Sequence, residues 1–170
     1  MRRIIRCALI VCLVSCTLAR ATQAQSPRPE NVRDSLVAHW TDIGDKVIKL
    51  AEAFPEDKYD FRPAPGVRTF GEVLRHVGFW NLFVVKNARG EKADGSANEL
   101  AKAEYPTKAA ILTILKSSVA DAGAELQKQP AALPVKMADL YVAFIGHSGE
   151  HYGQLVVYAR LNGIVPPASR

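Results

Sequence analysis

The chain has 170 residues, enough for one domain and too few to expect two. Hydrophobic residues make up 48% of it and charged residues 23%, the balance of a globular protein with a core to bury. Of the formal charge of +5, four charges come from Arg2, Arg3, Arg6 and Arg20; the 22 basic residues less these four leave 18 against 17 acidic ones, a net of +1. That remainder holds no cluster that would track phosphates, which excludes nucleic acid as an expected partner.

The chain begins with an address. Met1 to Arg6 form a basic region, Cys7 to Leu18 an apolar one, and Ala19-Arg20-Ala21 and Thr22-Gln23-Ala24 offer small residues at cleavage spacing. The apolar run falls short of the roughly 20 residues that cross a bilayer. It reads as a signal peptide over residues 1–24, removed on export after Ala21 or Ala24, so the protein is expected in the periplasm or outside the cell. A second reading stands beside it. Leu13-Val14-Ser15-Cys16 resembles a bacterial lipobox, and a lipid on Cys16 would tether the domain to a membrane that it otherwise has no reason to touch. Cys7, Cys12 and Cys16 all lie in this segment. The exported domain, residues 25–170, then has neither disulfide nor thiolate, and any metal must be held by nitrogen and oxygen.

Gln25 to Pro29 is a polar leader. Leu36, Trp40, Ile43, Val47, Leu50 and Phe54 then recur at steps of four and three, lining one face of a first helix that Pro55 ends. Asp57 to Val67 is a loop punctuated by Pro63, Pro65 and Gly66. Thr69 and Glu72 are spaced as a capping box, opening a second helix whose inner face carries Phe70, Val73, Leu74, Val77, Asn81 and Val84. From Gly90 through Gly95 to Pro106 the chain is long and polar, and this is the segment expected to be most mobile. Thr107 is placed to cap a third helix with Ile111, Ile114, Leu115 and Val119 inside. Pro130 and Pro134 bracket the next connection, and a last helix runs from about Met137 to Leu161, stopped by Asn162-Gly163 and Pro166-Pro167. No segment alternates with period two. The expectation is an all-α four-helix bundle, antiparallel or with a crossover.

Two of the four histidines, His147 and His151, are four residues apart on the last helix. At about 100° per residue they lie about 40° apart around its axis, so both rings can reach one ion. Gln154 and Tyr158 continue that face, which is apolar in its first half and polar in its second. Buried, those polar groups need partners, since an unpaired one costs about 1–3 kcal/mol. His76 sits at the edge of the second helix's apolar stripe, beside Val73 and Trp80. Ligands from facing helices are how bundles build metal sites. Three neutral imidazoles leave positions for water or substrate, and suit Zn, Ni, Cu or Fe(II) alike. Ser148 follows His147, so this is not the zinc-protease pattern, and the same spacing also arises on helices whose histidines bond only to neighbours.

GHSGEHYGQLVVYARLNGIVPPAS, Gly146 to Ser169, resembles the C-terminal signature of the DinB/YfiT-like family. FRPAPGVRTFGEVLRHVGFWNLF, Phe61 to Phe83, is similar to that family's second-helix region, and PTKAAILTILKSS, Pro106 to Ser118, to its third helix. The resemblance implies a four-helix bundle with a three-histidine metal site. It assigns one ligand to His76, within EVLRHV, and two to His147 and His151, within HSGEH. Members include thiol-dependent S-transferases and isomerases beside many without a known reaction. Their thiols are cytoplasmic, and an exported chain departs from that setting.

Glu150 lies about 60° from His147 around the helix, placed either to take an imidazole N–H and act as a base or to stay solvated. Gln154 orients a ligand or bridges helices. Trp80 and Phe83 wall a pocket or pack in the core; Arg62 and Arg68 steer an anion or remain in water; His39 falls off the first helix's stripe. Two functions remain open. One is a metal-dependent hydrolase or transferase acting on a small molecule, the ion acidifying bound water. The other is a non-catalytic bundle stabilised by its metal. A homodimer through an exposed bundle face is compatible with either.

Overall fold

The computed structural model describes residues 28–170, so the proposed signal peptide, its cleavage sites and Cys16 lie outside the described residues. Four helices make the architecture: α1 (Val32–Ala53), α2 (Phe70–Ala88), α3 (Lys108–Gln127) and α4 (Val135–Leu161). No strand occurs among the described residues. The fold is an all-α four-helix bundle, as the periodicity requires.

Each helix begins where local chemistry tells it to. Asn31 accepts from the Asp34 amide and starts α1. Thr69 and Glu72 form the full capping box of α2, with the Glu72 carboxylate taking the Thr69 amide at 2.6 Å. Thr107 caps α3 through the Ala110 amide. The fourth helix starts at Val135, two residues before Met137, because Pro134 brings a fixed φ and no side-chain cap is used. One short 3-10 turn, Glu56–Lys58, interrupts the loop expected to be irregular from Asp57 onward.

α1 packs against α3 and α4, and α2 packs against the same two. Round the bundle the order is therefore α1, α3, α2, α4, with α1 and α2 on one diagonal and α3 and α4 on the other. The connections from α1 to α2 and from α3 to α4 therefore cross the bundle, whereas the one from α2 to α3 joins neighbours. Two clusters fill the core. Phe54 stacks on Phe70 at 3.7 Å between centroids, with Tyr59, Leu50, Leu74 and Leu155 around them. Further along, Trp40 meets Tyr141 edge-on at 5.4 Å among Leu36, Val84 and Leu126. Helices α1 and α3 approach closely at Gly44, where a Cβ would come 2.6 Å from Val119 Cγ1. The seam between α2 and α4 is different. It holds the histidines.

Candidate metal centre

His76 projects from α2, and His147 and His151 from α4, onto a common point. One ring nitrogen from each lies within 4.8 Å of the other two. His76 Nε2 and His147 Nε2 are 3.0 Å apart. Nitrogens held at 2.0–2.1 Å by one tetrahedral ion sit about 3.3 Å from each other, so the observed separation is compatible with two ligands of one ion and is also that of a hydrogen bond between the rings. His76 is 5% exposed, and His147 and His151 are half-buried, so the cluster reaches the surface on the α4 side.

Two of the three rings are locked in orientation. His76 Nδ1 donates to the backbone carbonyl of Asn98, and His151 Nδ1 lies 3.0 Å from Gln154 Oε1, which can only accept. With each Nδ1 carrying its proton, each Nε2 presents a lone pair to the centre. The second lock continues: Gln154 Nε2 donates to the Tyr158 hydroxyl at 2.9 Å, and Tyr158 donates to the carbonyl of Arg68, also at 2.9 Å. His147 is the exception. Its Nδ1 is buried and has no hydrogen-bond partner among the described residues.

The electrostatics keep the rings of His76 and His147 neutral. Burial pushes the His147 pKa down to about 4, helped by His151, His76 and Arg68. Burial also lowers His76, against the opposing pull of the Asn98 carbonyl. A neutral imidazole is the form that coordinates. Convergent lone pairs repel one another unless a cation or a proton lies between them. Donor set, spacing and locked tautomers together fit a divalent ion.

The polar segment expected to be mobile is tied across this centre. Asn98 has φ +57°, the left-handed region, which turns its carbonyl onto His76 while its side-chain oxygen accepts from Trp80 Nε1 at 3.0 Å. Glu99 pairs with Arg68 at 3.2 Å and Arg75 at 3.5 Å. Gly95 lies flat on Trp80, where a Cβ would come 3.0 Å from the indole. Asn98 and Glu99 carried no motif. The only signal available was an asparagine in a loop, a residue that tolerates positive φ.

The remaining candidates divide. Trp80 stacks on Phe144 at 5.4 Å, and both rings lie within about 6 Å of His147, forming an aromatic wall with Phe83. Glu150 is exposed and makes no hydrogen bond or ion pair among the described residues; the partner of His151 is Gln154 instead. Gln154 bonds along its own helix, and the link to the segment before α2 is made by Tyr158. His39 is exposed on α1, and Arg62 pairs with Glu72 at 3.4 Å.

A four-helix bundle carrying three convergent histidines on two neighbouring helices defines a class of helical protein with an open nitrogen-donor site. The DinB superfamily model matches residues 39–155, a span that includes all three histidines, and the chain belongs to that superfamily. No curated protein matches the chain.

Proposed function

We propose that this protein binds one divalent metal ion through His76, His147 and His151 and uses it to act on a small molecule, as a hydrolase or a transferase. The observation that carries the reading is the pair of locks: Asn98 O on His76 and Gln154 Oε1 on His151 hold two lone pairs on the point that His147 also faces. When bound, the ion supplies Lewis-acid chemistry with coordination positions to spare. The chain's own residues do the rest. Trp80 and Phe144 shield one side of the centre from water, and the Gln154–Tyr158 relay fixes the ring of His151. Zn, Ni, Cu and Fe(II) all suit three imidazoles.

Elemental analysis of the purified chain tests the core of this reading. The expected result is about one equivalent of a first-row metal, lost in His76→Ala, His147→Ala and His151→Ala alike. Metal content unchanged in all three variants ends the proposal. The second reading, a metal-stabilised bundle without turnover, draws support from Glu150, the carboxylate that the sequence offered as a base and which faces solvent. It predicts that metal raises the melting temperature while substrate panels stay blank.

Export belongs to the same proposal. It is supported by the basic and apolar segments before Gln25 and by the confinement of Cys7, Cys12 and Cys16 to them. The mass of the secreted form separates cleavage after Ala21 or Ala24 from a lipid on Cys16. A homodimer is the partner that remains open, with Val142, Val157 and Leu161 exposed along α4.

A further inference from the structure

Next to the three histidines, the group formed by Arg68, Arg75 and Glu99 carries more positive charge than negative. Three imidazoles are neutral donors, so an ion held by them keeps both of its positive charges. Beside them stand two guanidiniums and one carboxylate. Arg75 is buried, with its Nε 3.5 Å from Glu99 Oε1; Arg68 donates through Nε to Glu99 Oε2 at 3.2 Å. One positive charge is left over.

Arg68 is held at both ends of the site. Its carbonyl takes the Tyr158 hydroxyl, which closes the relay from His151, and its guanidinium is gripped by Glu99, the residue after the Asn98 that locks His76. The grip uses Nε alone. No hydrogen bond engages Nη1 or Nη2 among the described residues, and the side chain is 36% exposed. Arginine presents donors in a planar fork that matches carboxylate and phosphate oxygens. An arginine pinned at Nε with its outer fork free is set to receive such a group. Arg62, by contrast, is spent on the capping-box glutamate.

We propose that Arg68 is the anion-recognition residue of this site, and that the ligand taken at the three-histidine centre carries a carboxylate or a phosphate held on the free fork of Arg68. The inference rests on the metal reading above, and the experiment keeps the two apart. The full chain is loaded with Co(II), whose visible bands report the ligand field, and uptake is measured before any anion is added. Inorganic phosphate, acetate and neutral imidazole are then titrated into the wild type, Arg68→Gln and Arg68→Lys. Each substitution leaves the backbone carbonyl that Tyr158 uses.

The expected result is equal Co(II) uptake in all three proteins. Arg68→Gln weakens the favoured anion about tenfold, or about 1.4 kcal/mol, Arg68→Lys weakens it less, and imidazole binds each protein equally. Stronger discrimination for phosphate than for acetate, or the reverse, identifies which anion the fork fits. Equal anion affinity in wild type and Arg68→Gln overturns the proposal. So does a parallel loss for imidazole, which would make Arg68 a support for the site's shape. A wild type that takes no Co(II) brings down the metal reading, and this inference with it.

Discussion

Two regions of the bundle bury polar groups, and they treat them in opposite ways. Around α1 and α3, three buried donors each have a backbone carbonyl for a partner. Trp40 Nε1 donates to Val119 O at 2.9 Å, Tyr141 to Ala122 O at 2.6 Å, and Tyr59 to Ala51 O at 2.7 Å. Burial drives the phenols of Tyr59 and Tyr141 far above their ordinary pKa, so they remain neutral donors. In the α2–α4 seam the rings are aimed at one another instead, and His147 Nδ1 is left without a partner. A polar group satisfied within the fold serves the fold. A ring cluster whose one internal contact joins His76 Nε2 to His147 Nε2 and leaves His147 Nδ1 unpaired points to something the fold receives.

The contrast is broken most forcefully on its structural side. Trp40 is 2% exposed and joins three helices, so Trp40→Ala is expected to cost about 3–5 kcal/mol in chemical denaturation. Metal bound per folded molecule should stay at the wild-type value, because no histidine touches Trp40. A folded fraction that has also lost its metal would show that the two regions are not separate.

The second effect is on affinity. Gln154→Leu removes the acceptor of His151 Nδ1, and loss of such a partner weakens metal binding roughly 10- to 100-fold. Gln154→Glu restores an acceptor and should recover most of that affinity. Competition with a chromophoric chelator measures both. If leucine and glutamate at this position bind metal equally, Gln154 has no part in orienting the ring.

How much of this was legible in the sequence follows from the range of the interactions concerned. The helices were, because capping and periodicity act within a few residues: Thr69 with Glu72, Thr107 with Ala110, and the 3.6-residue spacing of Leu36, Trp40 and Val47. His147 and His151 were visible as a pair for the same reason. Placing His76 beside them took the family resemblance, since nothing local says that α2 and α4 are neighbours while α1 and α2 sit on a diagonal. The tethers of the 94–100 segment were not legible, because those of Asn98 to His76 and of Glu99 to Arg68 and Arg75 span 22 or more residues. Composition reads polarity there and is silent about partners.

That segment offers a smaller test. Asn98 stands at φ +57°, where a residue with an ordinary Cβ is strained by about 1–2 kcal/mol and glycine is not. Asn98→Gly and Asn98→Ala both lose the bond from Trp80 Nε1, so their difference isolates the backbone. The alanine variant is expected to be less stable by about 1 kcal/mol and to hold metal more weakly. Equal denaturation midpoints would mean that the carbonyl on His76 does not depend on this backbone conformation.

The smallest effect is the sharpest, because metal should matter to one region and not to the other. Tyr141→Phe deletes a satisfied hydrogen bond and should lower stability by about 1 kcal/mol, with or without metal. His147→Leu deletes a buried Nδ1 that has no partner, and with it the 3.0 Å contact of Nε2 with His76 Nε2. Removing an unsatisfied polar atom gains about 1–3 kcal/mol and stranding His76 Nε2 costs about as much, so in chelator-treated protein this variant should lie within about 1 kcal/mol of the wild type. With saturating metal it should fall well below the wild type, which alone gains the stabilisation of a bound ion. Denaturation of both variants with and without chelator therefore gives four numbers, of which only those of His147→Leu should depend on metal. If His147→Leu costs the same in metal-free and metal-treated protein, as Tyr141→Phe does, the α2–α4 seam is one more part of the core.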